Sequence, residues 1–459
     1  MMKNKKYLLI ITASFLGIML AGGCASGGAQ RDGWIYRGVP LTADDTLRVD
    51  ENGYLRNRLG QEVVLRGINL GGWLIQESWM CPVYGIDREW ALLDTIGEME
   101  KRGWSAAQIQ ELFDTYQDNW LTEDDFNFLK SLKINYVRLP FWYRNFMSDD
   151  KGSWIGDNGS GAETTNPGFK RFDWAIEQAK KRGMYVIPAL HGAVGGQAMS
   201  HGTGTLRKNE LYTNPAFEQH TADLWKAIAI RYKDEPAVAA FDLLGEPNNN
   251  DGYEGANNWP SGSPRAVHET IRLYDRLYRE VRSVSPDRIL MFEAVWDMGA
   301  LPDPAYVHNG PLDQTNHYSG KTVVWENVLY SMHLYDHSKR NIDKGVNELK
   351  NARSVWKVAV IVGEFKNDVE GLQGYAYKLY NTNKFSWSSW TYKIAGSNMG
   401  SWSLYQSIFK PNVNPMTDSY ETIKQKWGET LRTFRPGSFF AINGYSKTDM
   451  FDLFGKADD

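Results

Sequence analysis

Short apolar runs rich in β-branched residues alternate with amphipathic stretches from about Arg48 into the 390s. A run of four to eight apolar residues has the length of a strand buried on both faces, and longer stretches of period 3.6 read as helices. Runs at residues 64–69, 134–140, 184–190, 237–244, 288–293, 328–335, 358–364 and 386–392 predict eight strands. Helical periodicity predicts helices over 123–132, 172–182, 217–232, 265–284 and 419–434. Regular alternation of this kind implies a parallel sheet with crossover helices, and eight such units close into a (β/α)8 TIM barrel, an α/β fold. Residues 47–65 alternate and contain Asn52-Gly53 and Leu59-Gly60, which predicts a hairpin ahead of the first barrel strand. From Pro436 onward the pattern is too irregular to assign. No internal repeat, linker or second composition regime divides residues 34–459, so one domain is the simplest partition.

The connections after several strands are long and rich in Gly, Asn and Trp: 142–169, 192–214, 248–264 and 294–326. In parallel barrels the loops after the strands build the functional face. Residues 248–252, Asn-Asn-Asn-Asp-Gly, do not have the ligand spacing of a calcium loop and read as a plain turn.

The first 24 residues stand apart from this pattern. Lys3, Lys5 and Lys6 precede an apolar stretch from Tyr7 to Leu20, too short for a membrane-spanning helix, and Ala21, Gly22 and Gly23 lead to Cys24. The ending resembles a bacterial lipoprotein signal, although Ala21 stands where leucine is usual. That resemblance implies lipidation of Cys24, export, and a lipid anchor at the cell surface or in the outer membrane or periplasm. Residues 25–33, rich in Gly, Ala and Ser, read as a flexible tether. With Cys24 lipidated, Cys81 has no disulfide partner and is expected to be buried and inert.

Charge changes the picture little. The 51 basic and 55 acidic residues leave a net charge of −4 without any block of one sign, which argues against a nucleic-acid partner. The eight histidines form no His/Cys cluster, and the Rossmann and P-loop glycine patterns are absent, so no metal or cofactor is expected. The 18 tryptophans supply either a large aromatic core or flat faces for sugar rings; composition does not separate the two.

Two glutamates close predicted strands: Glu246, in Phe-Asp-Leu-Leu-Gly-Glu-Pro, and Glu364, in Val-Ala-Val-Ile-Val-Gly-Glu-Phe. Each follows an apolar run, so each should face the barrel mouth, on the fourth and seventh of eight strands. Glycoside hydrolysis needs such a pair: one carboxyl protonates the leaving oxygen while the other attacks or activates water.

From about Leu65 to Tyr405 the sequence resembles glycoside hydrolase family five. The resemblance is carried by Arg66-Gly-Ile-Asn-Leu-Gly-Gly-Trp-Leu74, Asn135-Tyr-Val-Arg-Leu-Pro140, Leu190-His-Gly192, Gly245-Glu-Pro247, His333-Leu-Tyr335, Gly363-Glu-Phe365 and a tryptophan-rich eighth strand. Residues 89–97 and 120–126 are similar to its exo-β-1,3-glucanase branch. The resemblance implies that Glu246 is the general acid/base and Glu364 the nucleophile of a retaining double displacement on a β-linked glycan. It implies that Arg138 supports the nucleophile, that His333 and Tyr335 orient the carboxylates, that His191 contacts a sugar hydroxyl, and that Trp390 is the stacking platform of the −1 subsite. Trp73, Trp79, Trp142, Trp259, Trp296 and Trp402 are candidates for further subsites, with core packing as the alternative for each.

The sequence departs from the family at Gly245, where asparagine usually contacts the sugar 2-hydroxyl. A −1 pocket wider at C2 is therefore expected. β-Glucan is the leading substrate class, with mannan or glycolipid as alternatives. A surface glycan-binding lipoprotein that retains the barrel without turnover is the rival reading.

Overall fold

Eight runs of buried residues pair side by side, all parallel, and the last pairs with the first to close a barrel. The strands are β1 (Arg66–Asn69), β2 (Tyr136–Trp142), β3 (Tyr185–Gly192), β4 (Ala240–Asp242), β5 (Ile289–Glu293), β6 (Val328–Leu334), β7 (Ala359–Phe365) and β8 (Ser386–Ser389). The computed structural model describes residues 37–85, 90–249, 264–294, 301, 307–308, 322–335, 338–366, 372–395, 402–407 and 410–431. The expected signal, Cys24 and the tether, the 250–252 part of the Asn-rich turn, and the chain beyond Pro436 lie outside these residues. The barrel lies in one compact unit, Gly33–Asp459.

All eight predicted runs match their strands to within three residues at either end, and β4, trimmed at both ends of the expected 237–244, is the shortest. Its sequel still pairs: Leu243 N–H donates to Met291 O at 3.2 Å and Gly245 N–H to Leu190 O at 2.8 Å. The chain then turns, and Glu246 adopts φ 48°, the left-handed region that a non-glycine residue rarely occupies. Glu246 thus stands just beyond β4.

The helices are α1 (Leu92–Lys101), α2 (Ala106–Trp120), α3 (Glu123–Ser131), α4 (Pro167–Lys180), α5 (Pro215–Tyr232), α6 (Pro264–Arg282), α7 (Lys339–Trp356), α8 (Leu372–Thr382) and α9 (Tyr420–Gln425). Helices α4 and α5 begin earlier than periodicity predicts because Asn-Pro pairs start them. The Asn166 side chain accepts from Gly168 and Phe169 N–H, that of Asn214 accepts from Ala216 N–H, and proline fills the first helical position of each. Helix α2, not expected from periodicity, starts with the Ser105/Gln108 capping box. The expected 419–434 helix is α9 followed by a π turn, Lys426–Thr430.

The predicted hairpin is present as two short antiparallel strands, Arg48–Val49 and Leu55–Arg56, turned around Asp50 and Gly53. It sits at the end of the barrel where the strands begin. Val49 N–H donates to Asn327 Oδ1 just before β6, and Gly53 abuts the carbonyl of Val358 just before β7.

The chain after β8 is fastened to the outer helices by a buried ion pair. Lys393 Nζ lies 2.7 Å from Asp125 Oδ1, both side chains fully buried, and also donates to Trp120 O. Tyr392 Oη–H donates to the same Asp125 at 2.8 Å. Cys81 is buried and free, and burial pushes its thiol up to about 12, which keeps it protonated and inert. Among the described residues no helix is long and apolar enough to cross a membrane.

Removing one member of a buried ion pair leaves the other charge without its counter-ion and costs about 3–5 kcal/mol. Asp125→Ala is therefore expected to lower unfolding free energy in urea by about that amount, and a loss below about 1 kcal/mol, the range of an exposed pair, contradicts it.

Candidate active site

Polar and aromatic side chains gather in or just beyond the barrel strands toward their C-terminal ends. Asn69 closes β1, Arg138 lies in β2, His191 in β3, Asp242 ends β4, Glu293 ends β5, His333 lies in β6, Glu364 in β7, and Trp390 follows β8. Strand register brings them together, because neighbouring parallel strands deliver their ends to one face of the barrel.

Arg138 is the hub. It is fully buried, and its guanidinium donates to Asp242 Oδ2 at 2.8 Å, Asn69 Oδ1 at 3.0 Å, Glu364 Oε1 at 2.6 Å and Glu293 Oε1 at 2.7 Å. Asn69 is oriented in turn by its own amide, which donates to Gly363 O at 3.0 Å and Ser389 O at 3.2 Å. Tyr335 Oη–H donates to the other oxygen of Glu364 at 2.6 Å. His333 Nδ1 lies 2.8 Å from Glu246 Oε1 and 3.5 Å from Glu364 Oε2. Glu246, His333 and Glu364 each present one atom within 4.8 Å of the others.

Burial raises the Glu246 carboxyl above its ordinary value, and the Glu364 charge adds to this; the hydrogen bond from His333 partly offsets them. Burial alone would lower His333, but the Glu293 and Glu364 charges outweigh it and hold the imidazole well above its usual range. Burial and the Glu293 charge push Asp242 well above the ordinary carboxylate value. Glu293 goes the other way: against burial, the His333 and Arg138 charges hold it below the carboxylate range. Neighbouring carboxyls are thus driven apart in acidity, the pattern that separates acid from base in one site. Glu246, His333 and Glu364 are also the one trio of ligand-type groups among the described residues. Their separation also lets them share hydrogen bonds, as His333 Nδ1 and Glu246 Oε1 do at 2.8 Å.

Of the residues predicted from sequence, Arg138, His191, Glu246, His333, Tyr335, Glu364 and Trp390 converge here. His191 stacks on Trp390, ring centroids 6.2 Å apart and planes 25° apart, and its Nε2 is 3.9 Å from Glu246 Oε2. Trp79 and Trp402 pack edge-to-face at 5.5 Å, and Trp402 meets Tyr335 at 5.6 Å, so both flank the site. Trp73 and Trp142 do not serve as subsite platforms. Trp73 is 2% exposed, donates to Gln117 O and packs on Trp174; Trp142, also 2% exposed, is wedged against Gly192 and Gly204. Both are held by core packing, which leaves no open face for a sugar. Trp259 and Trp296 lie outside the described residues.

Sequence reasoning passed over Asn69, Asp242 and Glu293, although each is a lone polar residue in an apolar run. It also passed over Glu77, which accepts from Trp79 Nε1–H at 2.8 Å and lies 3.4 Å from His201 Nε2. Burial raises the Glu77 carboxyl, but His201 and Trp79 more than reverse it. Gln197 was missed too; its amide donates to the carbonyls of His191 and Gly245, both at 2.8 Å, and so ties the β3 and β4 ends together.

At Gly245, beside which a wider pocket at C2 is expected, the backbone is closely covered. A Cβ at this position would collide with His191 Nδ1 and sit 3.3 Å from the Arg138 guanidinium. The room that a side chain at 245 would take is filled by the His191 imidazole.

A closed parallel barrel with paired carboxyl groups at the strand ends defines a barrel enzyme of the glycoside hydrolase class. The family model described as Cellulase (glycosyl hydrolase family 5) matches residues 98–396, and the chain belongs to that family. It is 25% identical over 372 residues to a protein named beta-xylosidase from Phanerodontia chrysosporium, covering 73% of this chain and 68% of the relative. It is 26% identical over 321 residues to a probable glucan 1,3-beta-glucosidase A from Aspergillus clavatus, covering 66% of this chain and 65% of the relative. The chain thus spans about two thirds of the length of these curated relatives. Its fold is like that of a rutinosidase from Aspergillus niger, with TM-score 0.54 and 17% identity over 77% of this chain and 93% of the other. It is also like the catalytic domain of Thermobifida fusca endoglucanase Cel5A, with TM-score 0.52 and 17% identity over 91% and 99% of the two chains.

Because His191 fills the space beside Gly245, Gly245→Ala is expected to lower stability by about 1–3 kcal/mol, the usual cost of overpacking. Adding His191→Ala should recover most of that loss. Additive losses in urea melts of the double variant would show that the two positions do not share the space.

Proposed function

We propose that the protein is a retaining β-glycosidase, with Glu246 as general acid/base and Glu364 as nucleophile, acting on a β-glucan or related β-linked oligosaccharide. One observation carries the reading: oxygens of Glu246 and Glu364 approach to within 4.8 Å across the mouth. Retaining pairs stand about 5–5.5 Å apart, whereas inverting pairs leave about 6.5–9.5 Å for a water. Arg138 and Tyr335 fix the two oxygens of Glu364 for attack on the anomeric carbon. Glu246, raised by burial, holds the proton that the leaving oxygen needs, and as a carboxylate it then takes a proton from water in the second step.

The stacked His191 and Trp390 rings, with Trp79, Trp402 and the Glu77 acceptor nearby, provide flat faces and a hydrogen-bond acceptor suited to a sugar. Relatives named for glucan and xyloside hydrolysis favour an unbranched β-linked glycan over mannan or glycolipid. We place the chain in the exported class, residues 1–24 being the signal, Cys24 the lipidated anchor, residues 25–33 the tether and residues 34–459 the catalytic domain. Cys24→Ala should release the protein from membranes into the soluble exported fraction, and continued membrane retention overturns the anchor.

Glu364→Ala is expected to abolish turnover of laminarin, lichenan and aryl β-glucosides. Glu246→Ala should lose about 10²–10⁴-fold on substrates with poor leaving groups and far less on activated aryl glycosides, since general-acid assistance is what it removes. In wild type, kcat/KM should fall as pH rises through the raised Glu246 value, because the acid must carry its proton. Proton NMR of the first product should show the β anomer. An α anomer first would sink the retaining mechanism, and tight glycan binding without products by wild type would favour the non-catalytic binding protein.

A further inference from the structure

Glu293 closes β5, is 2% exposed, and has no part in the two-carboxylate chemistry. Its two oxygens nevertheless reach the backbone of one partner and the hydrogen-bonding neighbour of both. Oε2 accepts the backbone N–H of Glu246 at 2.6 Å, at the residue whose φ is 48°. Such a conformation costs about 1–3 kcal/mol and persists only where surrounding contacts over-determine it. Oε1 accepts from Arg138 at 2.7 Å and lies 3.2 Å from His333 Nε2, while His333 Nδ1 faces Glu246 and Glu364. Carboxylates thus flank the ring on both sides, hydrogen-bonded at Nδ1 and at ion-pair distance from Nε2, an arrangement that favours the cation.

We propose that Glu293 is the positioning residue of the acid/base, pinning the left-handed backbone of Glu246 and setting a negative charge against the far side of the His333 ring. The inference rests on the reading of Glu246 as acid/base. Glu293 fixes where the Glu246 carboxyl points through the main chain, and it fixes the Nδ1–H that meets Glu246 Oε1 through the ring. Every charged or titratable group facing His333 is consistent with this role. Glu246, Glu293 and Glu364 contact it directly, Tyr335 packs edge-on at 6.5 Å, and Arg138 and Asp242 stand behind Glu293.

The test compares wild type with Glu293→Gln, Glu293→Asp and Glu246→Ala, using imidazole nitrogen NMR and two aryl glycosides, one with a poor and one with a good leaving group. In wild type the His333 ring should remain doubly protonated through neutral pH. In Glu293→Gln it should lose a proton at lower pH, and kcat/KM for the poor leaving group should fall by about 10²-fold, with a smaller loss for the good one. Glu293→Asp keeps the charge but shortens the arm. His333 should stay protonated in it while kcat falls, and unchanged kcat overturns the main-chain role. If Glu293→Gln does not fold, the Asp variant alone decides by these two readouts. A His333 titration unmoved in Glu293→Gln, or equal losses on both substrates, overturns the proposal. If Glu246→Ala itself lacks the leaving-group pattern, the acid/base reading has failed instead.

Discussion

A guanidinium buried at the mouth of the barrel needs more negative partners than one carboxylate can supply, and Arg138 sets the arrangement around it. Its donors reach Asn69, Asp242, Glu293 and Glu364, which come from four different strands. Moving a charge of this size out of water costs several kcal/mol unless every donor is met, and here each contact also fixes a strand end. The carboxyl groups cannot all be ionised around one cation in so little space. Asp242 and His333 are pushed well above their ordinary values, whereas Glu293 is held below its own. Proton placement in the cluster is therefore a result of the charge balance that burial of Arg138 imposes.

Much of this was legible in the sequence. The eight strand ends could be placed from apolar runs alone, and they put Arg138, His191, His333 and Glu364 on one face. Its partners Asp242 and Glu293 were harder, because they are separated from Arg138 by 104 and 155 residues and no local spacing records such contacts. Glu293 closed its predicted strand as visibly as Glu364 did. A lone acid at a strand end reads equally as a loop cap, and only closure of the barrel shows that it meets Arg138. Helices α4 and α5 were placed late because periodicity begins after the cap, whereas their Asn-Pro starts were in plain view. The tryptophans show the limit of composition. Trp73 and Trp390 follow strands alike, yet one is consumed by packing on Trp174 and the other lies against the His191 ring.

Anchoring of the face is unequal around the barrel. The chain after β8 is tied to α2 and α3 through Lys393, Tyr392 and Asp125, and the β3 and β4 ends are tied through Gln197. Both ties lie on the side that bears His191 and Trp390, so the stacked pair rests on the most rigidly supported part of the mouth. A ring platform held this way loses little freedom when a flat ligand covers it.

Gly245 and His191 have a consequence for substitution at this corner of the mouth. A side chain added at 245 would press on the His191 imidazole, which also stacks on Trp390 and stands beside the Glu246 carboxyl. Bulk at a position that bears no side chain would thus be felt at the sugar-facing ring and at the carboxyl together.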